Sequence, residues 1–267
     1  MRFYLLGPIE IRNGHTVSKS TDSLNWKLLV TLLLEPNHAL SINYLSTALW
    51  NDDPPTTARQ QVQNIASELR RRLSRLGIEG IICRTGDSYR VTSSTQSFDL
   101  MEFQNLVHQA RISSKDNHYG TALSRIRSAL DLWRGAALSG VSGYFFEREA
   151  QRLEEFRLSS TEEMMALELT MGNHEHAVCE LRKLLNAHPS RQRLAALLML
   201  ALHLTGRSVD ALDVFMDLRN HMINHLGLGP DTAIKDLHQA ILRADTSASP
   251  RHVDPPYALW RRLTALA

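Results

Sequence analysis

The chain has 267 residues, 43% of them hydrophobic, and 30 Lys+Arg against 28 Asp+Glu, so it can bury a sizeable core and has room for about two domains. No stretch approaches the roughly 18 consecutive apolar residues of a membrane span, and the opening RFYLLGPIEIRNG lacks the apolar run and cleavage site of an export signal. Cys83 and Cys179 lie far apart and form no CxxC, which argues against a disulfide framework or a zinc knuckle; together these features predict a cytoplasmic protein without a membrane partner.

The first 20 residues read as short strands, FYLL, IEIR and HTV, broken at Gly7-Pro8 and at Asn13-Gly14. Asn-Gly between β-prone runs predicts a type I′ hairpin turn, because both residues tolerate positive φ. SLNWKLLVTLLLE (23–35) predicts a helix stopped by Pro36-Asn37. SINYLSTALW (41–50) predicts a second, with Ser41 as its N-cap. After NDDPP, too stiff to continue a helix, a third is predicted over 56–76. Past Gly77, IICRTGDSYRVT (81–92) holds two β-prone runs around Gly86-Asp87, which suits a II′ hairpin with Tyr89 and Val91 inward and Arg90 on the other strand face.

Sheet, three helices and hairpin follow one another in the order of a winged helix-turn-helix, whose third helix enters the major groove while the hairpin wing lies by the backbone. The third helix carries the chemistry for that role. At about 100° per residue, Val62, Ile65, Ala66, Leu69 and Leu73 make one apolar stripe. The opposite side presents Gln60, Asn64, Ser67 and Arg71, with Gln63 and Arg75 on its flanks. Gln and Asn pair bidentately with adenine edges and Arg with guanine, so Gln60, Gln63, Asn64, Ser67 and Arg71 are the candidate base readers. Lys27, Arg59, Arg70, Arg75 and Arg90 are the candidate phosphate contacts. Residues 1–95 hold 11 Lys+Arg against 8 Asp+Glu, while 96–267 hold 19 against 20, so the positive excess sits at the front and is modest. Moderate phosphate attraction implies several copies on one site.

From residue 96 to about 245 the pattern is helical and repeats itself. MGNHEHAVCELRKLL (171–185) aligns with TGRSVDALDVFMDLR (205–219) at an offset of 34 residues, placing Gly172 on Gly206, Ala177 on Ala211, Leu181 on Phe215 and Leu184 on Leu218. That offset matches the tetratricopeptide period of about 34 residues, and NHYGTALSRIRSALDLW (117–133) repeats the pattern with Ala122, Ile126 and Ala129. Trp50, Leu132, Trp133, Phe145 and Phe146 read as core, while Arg134 and Arg191 read as ties between helices through carboxylates such as Glu154 or Glu155. Beyond residue 245, TSASPRHVDPP reads as a linker and YALWRRLTALA (257–267) as a short apolar-basic helix candidate or a frayed end. The predicted fold is mainly α with a small β component: a winged helix-turn-helix over 1–95, an all-α tetratricopeptide-like domain over 96–245 and a flexible tail over 246–267.

In this order, LLGPIEI (5–11), ALWNDDPPTTAR (48–59), SELRRRL (67–73), SALDLWRGAAL (128–138), RLEEFRL (152–158), HPSRQRLAALLMLALHLTGR (188–207) and LGLGPDTAIKDLHQAILRAD (226–245) resemble the Streptomyces antibiotic regulatory protein family, an OmpR-type winged helix joined to a bacterial transcriptional activator domain. The resemblance implies an activator of a secondary-metabolite gene cluster. Such a protein binds tandem direct repeats in double-stranded promoter DNA, associates with itself at least on DNA, and helps recruit RNA polymerase holoenzyme. It carries the recognition role onto helix 56–76 and the wing onto 81–92.

Enzyme classes lack their minimum parts, since GxxxxGK[ST], GxGxxG after a strand, HExxH and GxSxG are all missing. No cofactor is implied. His174-Glu-His176 and the i,i+4 pair His221 and His225 give at most two ligands each, half a metal site. A tetratricopeptide-like peptide-binding scaffold, or a regulator whose DNA binding is modulated by a ligand on the helical domain, is the alternative. The amide-rich, arginine-ended face of helix 56–76 weighs against a pure scaffold, which has no use for it.

Overall fold

The structure is a computed structural model and describes residues 1–51, 53–92 and 98–246, so the expected tail lies, past Thr246, outside the described residues. β1 (Arg2–Tyr4), β2 (Glu10–Asn13) and β3 (Thr16–Lys19) form an antiparallel sheet in that order, with Phe3 opposite Ile11 and both buried. The β2–β3 register pairs Asn13 with Thr16, so the turn is Gly14-His15, one residue later than the sequence predicts. Only Gly14 has positive φ there, at 56°, which fits a II′ turn instead of I′. The slip has a physical cause: Asn13 is kept in the strand, where its Nδ2 donates to the Leu76 carbonyl at 2.7 Å.

Three helices follow: α1 (Leu24–Leu34), α2 (Ile42–Trp50) and α3 (Ala58–Arg75). Ser41 caps α2 as expected, its Oγ accepting from the Tyr44 N–H at 3.2 Å. α3 begins two residues later than predicted because Thr56 and Thr57 form the turn out of Pro54-Pro55, with the Ala58 N–H donating to the Pro55 carbonyl at 2.8 Å. β5 (Ile82–Thr85) and β6 (Ser88–Val91) make the wing, with positive φ at Gly86 but not at Asp87, as a II′ turn requires. A two-residue strand the sequence pattern does not reveal, β4 (Leu40–Ser41), pairs with β6 through Leu40–Tyr89 and Ser41–Ser88, making the sheet order β4-β6-β5.

The rest of the described chain is helical: α4 (Asp99–Lys115), α5 (Tyr119–Leu130), α6 (Tyr144–Thr170), α7 (His174–Ala187), α8 (Gln192–Leu204), α9 (Ser208–Leu226) and α10 (Thr232–Thr246). Packing groups residues differently from a division at 95. One compact unit holds Met1–His108 and Ser128–Arg157, the other Gln109–Arg127 and Leu158 onward, so α4, α5 and α6 contribute residues to both.

In the first unit the reason is the backbone of Leu5–Ile9. Its carbonyls accept from Arg134 N (to Leu6), Leu138 N (to Leu5) and Ser139 N (to Gly7) at 2.8, 3.0 and 3.1 Å, and Ile9 N donates back to Ser139 at 2.9 Å. The Leu5 and Leu6 N–H groups donate to the fully buried Asp99 carboxylate at 2.8–3.0 Å. Gly7 fits because φ is +139° and any Cβ would lie 3.0–3.1 Å from Arg134 and Gly135 atoms. Trp133 and Phe146 are buried in this unit's core, with Trp50, Leu132 and Phe145 packed against it. Arg134 makes its ion pair with Glu10 at 2.6 Å, and Glu154 instead accepts from the Ala137 N–H at 2.8 Å.

In the second unit three helix turns share one hydrogen-bond pattern. Asn117, Gly172 and Gly206 all have positive φ, and each donates to the carbonyl three residues back. The following residue donates five back, closing a Schellman-type cap. Five residues after each turn stand Ala122, Ala177 and Ala211, all fully buried, where a small side chain lets antiparallel helices approach. Arg191 pairs with buried Glu162 at 2.6 Å, Arg111 with buried Glu163 at 3.0 Å, and Arg127 with buried Glu168. Arg191 thus ties helices as expected, through Glu162 and not Glu154 or Glu155.

Candidate nucleic-acid interface

α3 is built from its apolar stripe outward. Ala58, Val62, Ile65, Ala66, Leu69 and Leu73 are buried, and α3 packs against α1 and α2. The residues half a turn away are therefore held toward solvent: Gln60, Asn64, Ser67 and Arg71 are exposed and Gln63 is half-buried. Their internal bonds are short-range. Gln60 Nε2 donates to Asn64 Oδ1 at 3.4 Å, and Ser67 Oγ donates to the Gln63 carbonyl at 2.9 Å. A long weak amide–amide bond of this kind is readily exchanged for a base edge. The structure brings all five sequence-predicted base readers onto one face of one helix.

The candidate phosphate contacts are not equivalent. Arg75 is exposed, and among the described residues it has no ion-pair partner. Arg59 is exposed but meets Asp87 at the wing turn, Nη2 to Oδ1 at 2.5 Å. Arg70 is half-buried: its Nε donates to the Ile82 carbonyl at 3.1 Å and its guanidinium lies 5.6 Å from the centre of the Tyr89 ring. Lys27 is only 17% exposed at its side chain and pairs with Asp22 at 3.4 Å. Arg90 stands on the outer wing face opposite Cys83, half-buried, with its Nε buried and unpartnered. Sequence reading passed over Arg84, exposed on β5, with Nε donating to the Gly86 carbonyl at 2.9 Å. Its cross-strand partner is Tyr89, so Arg84 stands on the sheet face opposite that of Arg90, with its guanidinium 5.9 Å from the centre of the Tyr89 ring; it is exposed because it lies next to the wing turn, which the Gly86-Asp87 signal marks.

The His221 and His225 rings lie tilted at 40° to one another with centroids 4.5 Å apart, His221 Nε2 lying 3.1 Å from Ser190 Oγ. Among the described residues no group of three His, Cys, Asp or Glu side chains could hold a metal ion, and no helix is long and apolar enough to cross a membrane.

An antiparallel sheet, a three-helix core whose last helix is polar on its free side, a wing, and, later in the chain, stacked helical hairpins define a winged-helix transcriptional regulator with a tetratricopeptide-like helical region. Residues 98–242 match the bacterial transcriptional activator domain. The chain is 35% identical over 256 residues to the regulatory protein AfsR of Streptomyces griseus, covering 96% of this chain and 26% of AfsR. It is 31% identical over 253 residues to the regulatory protein DnrI of Streptomyces peucetius, covering 92% of this chain and 93% of DnrI. The chain thus spans about a quarter of AfsR and nearly all of DnrI. Mycobacterium tuberculosis EmbR, solved in complex with a low affinity phosphopeptide, superposes with a TM-score of 0.88 at 25% identity, over 99% of this chain and 70% of that one. The chain belongs to the Streptomyces antibiotic regulatory protein family of transcriptional regulators.

Proposed function

We propose that this protein is a sequence-specific activator of a secondary-metabolite gene cluster that binds tandem direct repeats in double-stranded promoter DNA and helps recruit RNA polymerase holoenzyme. One observation carries the reading: the Gln60, Asn64, Ser67 and Arg71 face of α3 is exposed, with no other part of the described chain over it. With α3 in the major groove, those residues and Gln63 meet base edges, and Arg59, Arg75, Arg84 and Arg90 lie toward phosphates. Lys27 and Arg70, engaged within the fold, position the helix and the wing instead. The helical region holds neighbouring protomers and polymerase.

Arg71→Ala lowers affinity for the cognate promoter by about 1–3 kcal/mol and relaxes preference at one base pair, as loss of a guanine contact does. Arg90→Ala weakens all sequences alike and reduces the salt slope by roughly one unit. Gel-shift titration at two salt concentrations separates them, and unchanged affinity in both variants would sink the groove assignment.

A further inference from the structure

α9 has more apolar surface than its own unit uses. Ala211, Phe215, Leu218 and Met222 are buried in the core. A second apolar row lies on another side of the same helix: Val209, Leu212, Met216, Ile223 and Leu226. Val209 is 68% and Leu226 52% exposed, Met216 and Ile223 are exposed, and Leu212 is half-buried, one side of it packed against the unit's core. Their spacing alternates three and four residues, with Arg219 completing it, which is the heptad seam of a helix that packs against another helix. Four exposed apolar members of one row, on a helix already anchored by its other face, mark an interaction surface.

We propose that this seam pairs with the same seam of a second copy of the chain, antiparallel about a two-fold axis between Met216 and Arg219. The positions are self-complementary in that arrangement. Antiparallel, Val209 faces Leu226, Leu212 faces Ile223, and Met216 faces Arg219, each pair occurring twice. The stem of Arg219 then covers Met216 of the second copy, and its guanidinium arrives one helical turn from that copy's Asp213. Asp213, Asp217 and Arg219 are exposed, and none has an ion pair among the described residues, so all are available for that exchange. Packed in parallel, Arg219 would meet Arg219 in the seam, a like-charge contact.

A single pair of 19-residue helices, roughly 28 Å long, is small beside the about 1,200 Å² of a stable interface, so the pairing is expected to be weak and reversible. The contact is two-fold, whereas direct repeats relate their occupants by translation, so it is separate from any contact between protomers on successive repeats. It is a contact additional to the one proposed above and does not depend on α3 meeting DNA.

Sedimentation velocity of the full chain without DNA, over about 1–100 μM, tests it. The expected result is a concentration-dependent shift to dimer that Met216→Glu with Ile223→Glu removes, with melting temperature unchanged because both positions are exposed. Asp213→Arg and Arg219→Asp each weaken the dimer about tenfold, and the two together restore it. Arg71→Ala leaves sedimentation as in the wild type, so failure of the DNA reading and failure of this one are told apart. A chain monomeric throughout the range, or a dimer indifferent to Ile223→Glu, overturns the pairing; a dimer split by Ile223→Glu but not rescued by the charge swap overturns the antiparallel arrangement.

Discussion

Arg59 and Asp87 offer a direct way to change the proposed DNA interface without touching a base reader. The two meet at 2.5 Å with side chains 63% and 57% exposed, a surface pair worth about 0–1 kcal/mol to folding. On DNA the same pair is costly, because Asp87 at the wing tip sets a negative charge beside phosphates and holds a cation away from them. Asp87→Asn removes the anion and releases Arg59. The turn tolerates it: positive φ belongs to Gly86, and the bond that locks the wing to α2, from the Ile42 N–H to the Asp87 carbonyl at 2.9 Å, is backbone only. One more neutralised phosphate steepens the salt slope by about 0.9 and, at about 1 kcal/mol, tightens binding roughly fivefold at low salt, with the gain fading as salt rises. Fluorescence anisotropy with a promoter duplex at two salt concentrations reads both numbers, and circular dichroism confirms an unchanged fold. Affinity that stays level or falls would refute a wing lying by the backbone.

Two further expectations concern stability. Asp99→Ala leaves the buried Leu5 and Leu6 N–H groups unpaired at about 1–3 kcal/mol each, so urea unfolding records a loss of roughly 2–6 kcal/mol, and a loss below about 1 kcal/mol contradicts the anchoring role. His238, stacked on Phe215 at 4.1 Å, has its pKa lowered by burial from 6.5, so the folded state binds its proton less readily than the unfolded chain. Its contribution is therefore fully present above pH 6.5 and is lost as pH falls through the lowered folded value. Thermal melts of wild type and His238→Phe across pH 5–8 show the wild type losing more on acidification; parallel curves overturn the assignment.

Where local periodicity decided the structure, the sequence was readable. The α3 stripe, the Ser41 cap, the inward Tyr89 and Val91 and the spacing of Ala177 and Ala211 all follow from residues a few positions apart. What was missed depends on contacts far apart in sequence. Asn13 stays in its strand because Leu76 needs a donor 63 residues away. β4 exists only because β6 offers it an edge. Contacts also cross residue 95: Asp99 binds Leu5, and the 134–139 segment lies along Leu5–Ile9 by backbone hydrogen bonds that no side-chain pattern encodes. A fragment ending at 95 would strip both from the DNA-binding unit.

The same distinction separates the members of the run Arg70-Arg71-Arg72. Consecutive residues on a helix diverge by about 100°, so three adjacent arginines cannot share one surface. Arg70 turns to the wing and holds Ile82 and Tyr89, while Arg72 turns to α1 and lies 5.2 Å from the buried Trp26 ring. Only Arg71, between them, points along the Gln60–Asn64–Ser67 row. The outer two brace α3 against its neighbours, and the middle one is left for the base contact proposed for it. On the proposed reading the five arginines of α3 overstate its phosphate contacts: Arg70 and Arg72 act as struts, Arg59 is shared with Asp87, and Arg71 is assigned to bases, which leaves Arg75 as the helix's one unencumbered cation among the described residues. On that same reading, affinity built on so few cations is moderate per copy, and occupying several adjacent sites at once is the physical remedy.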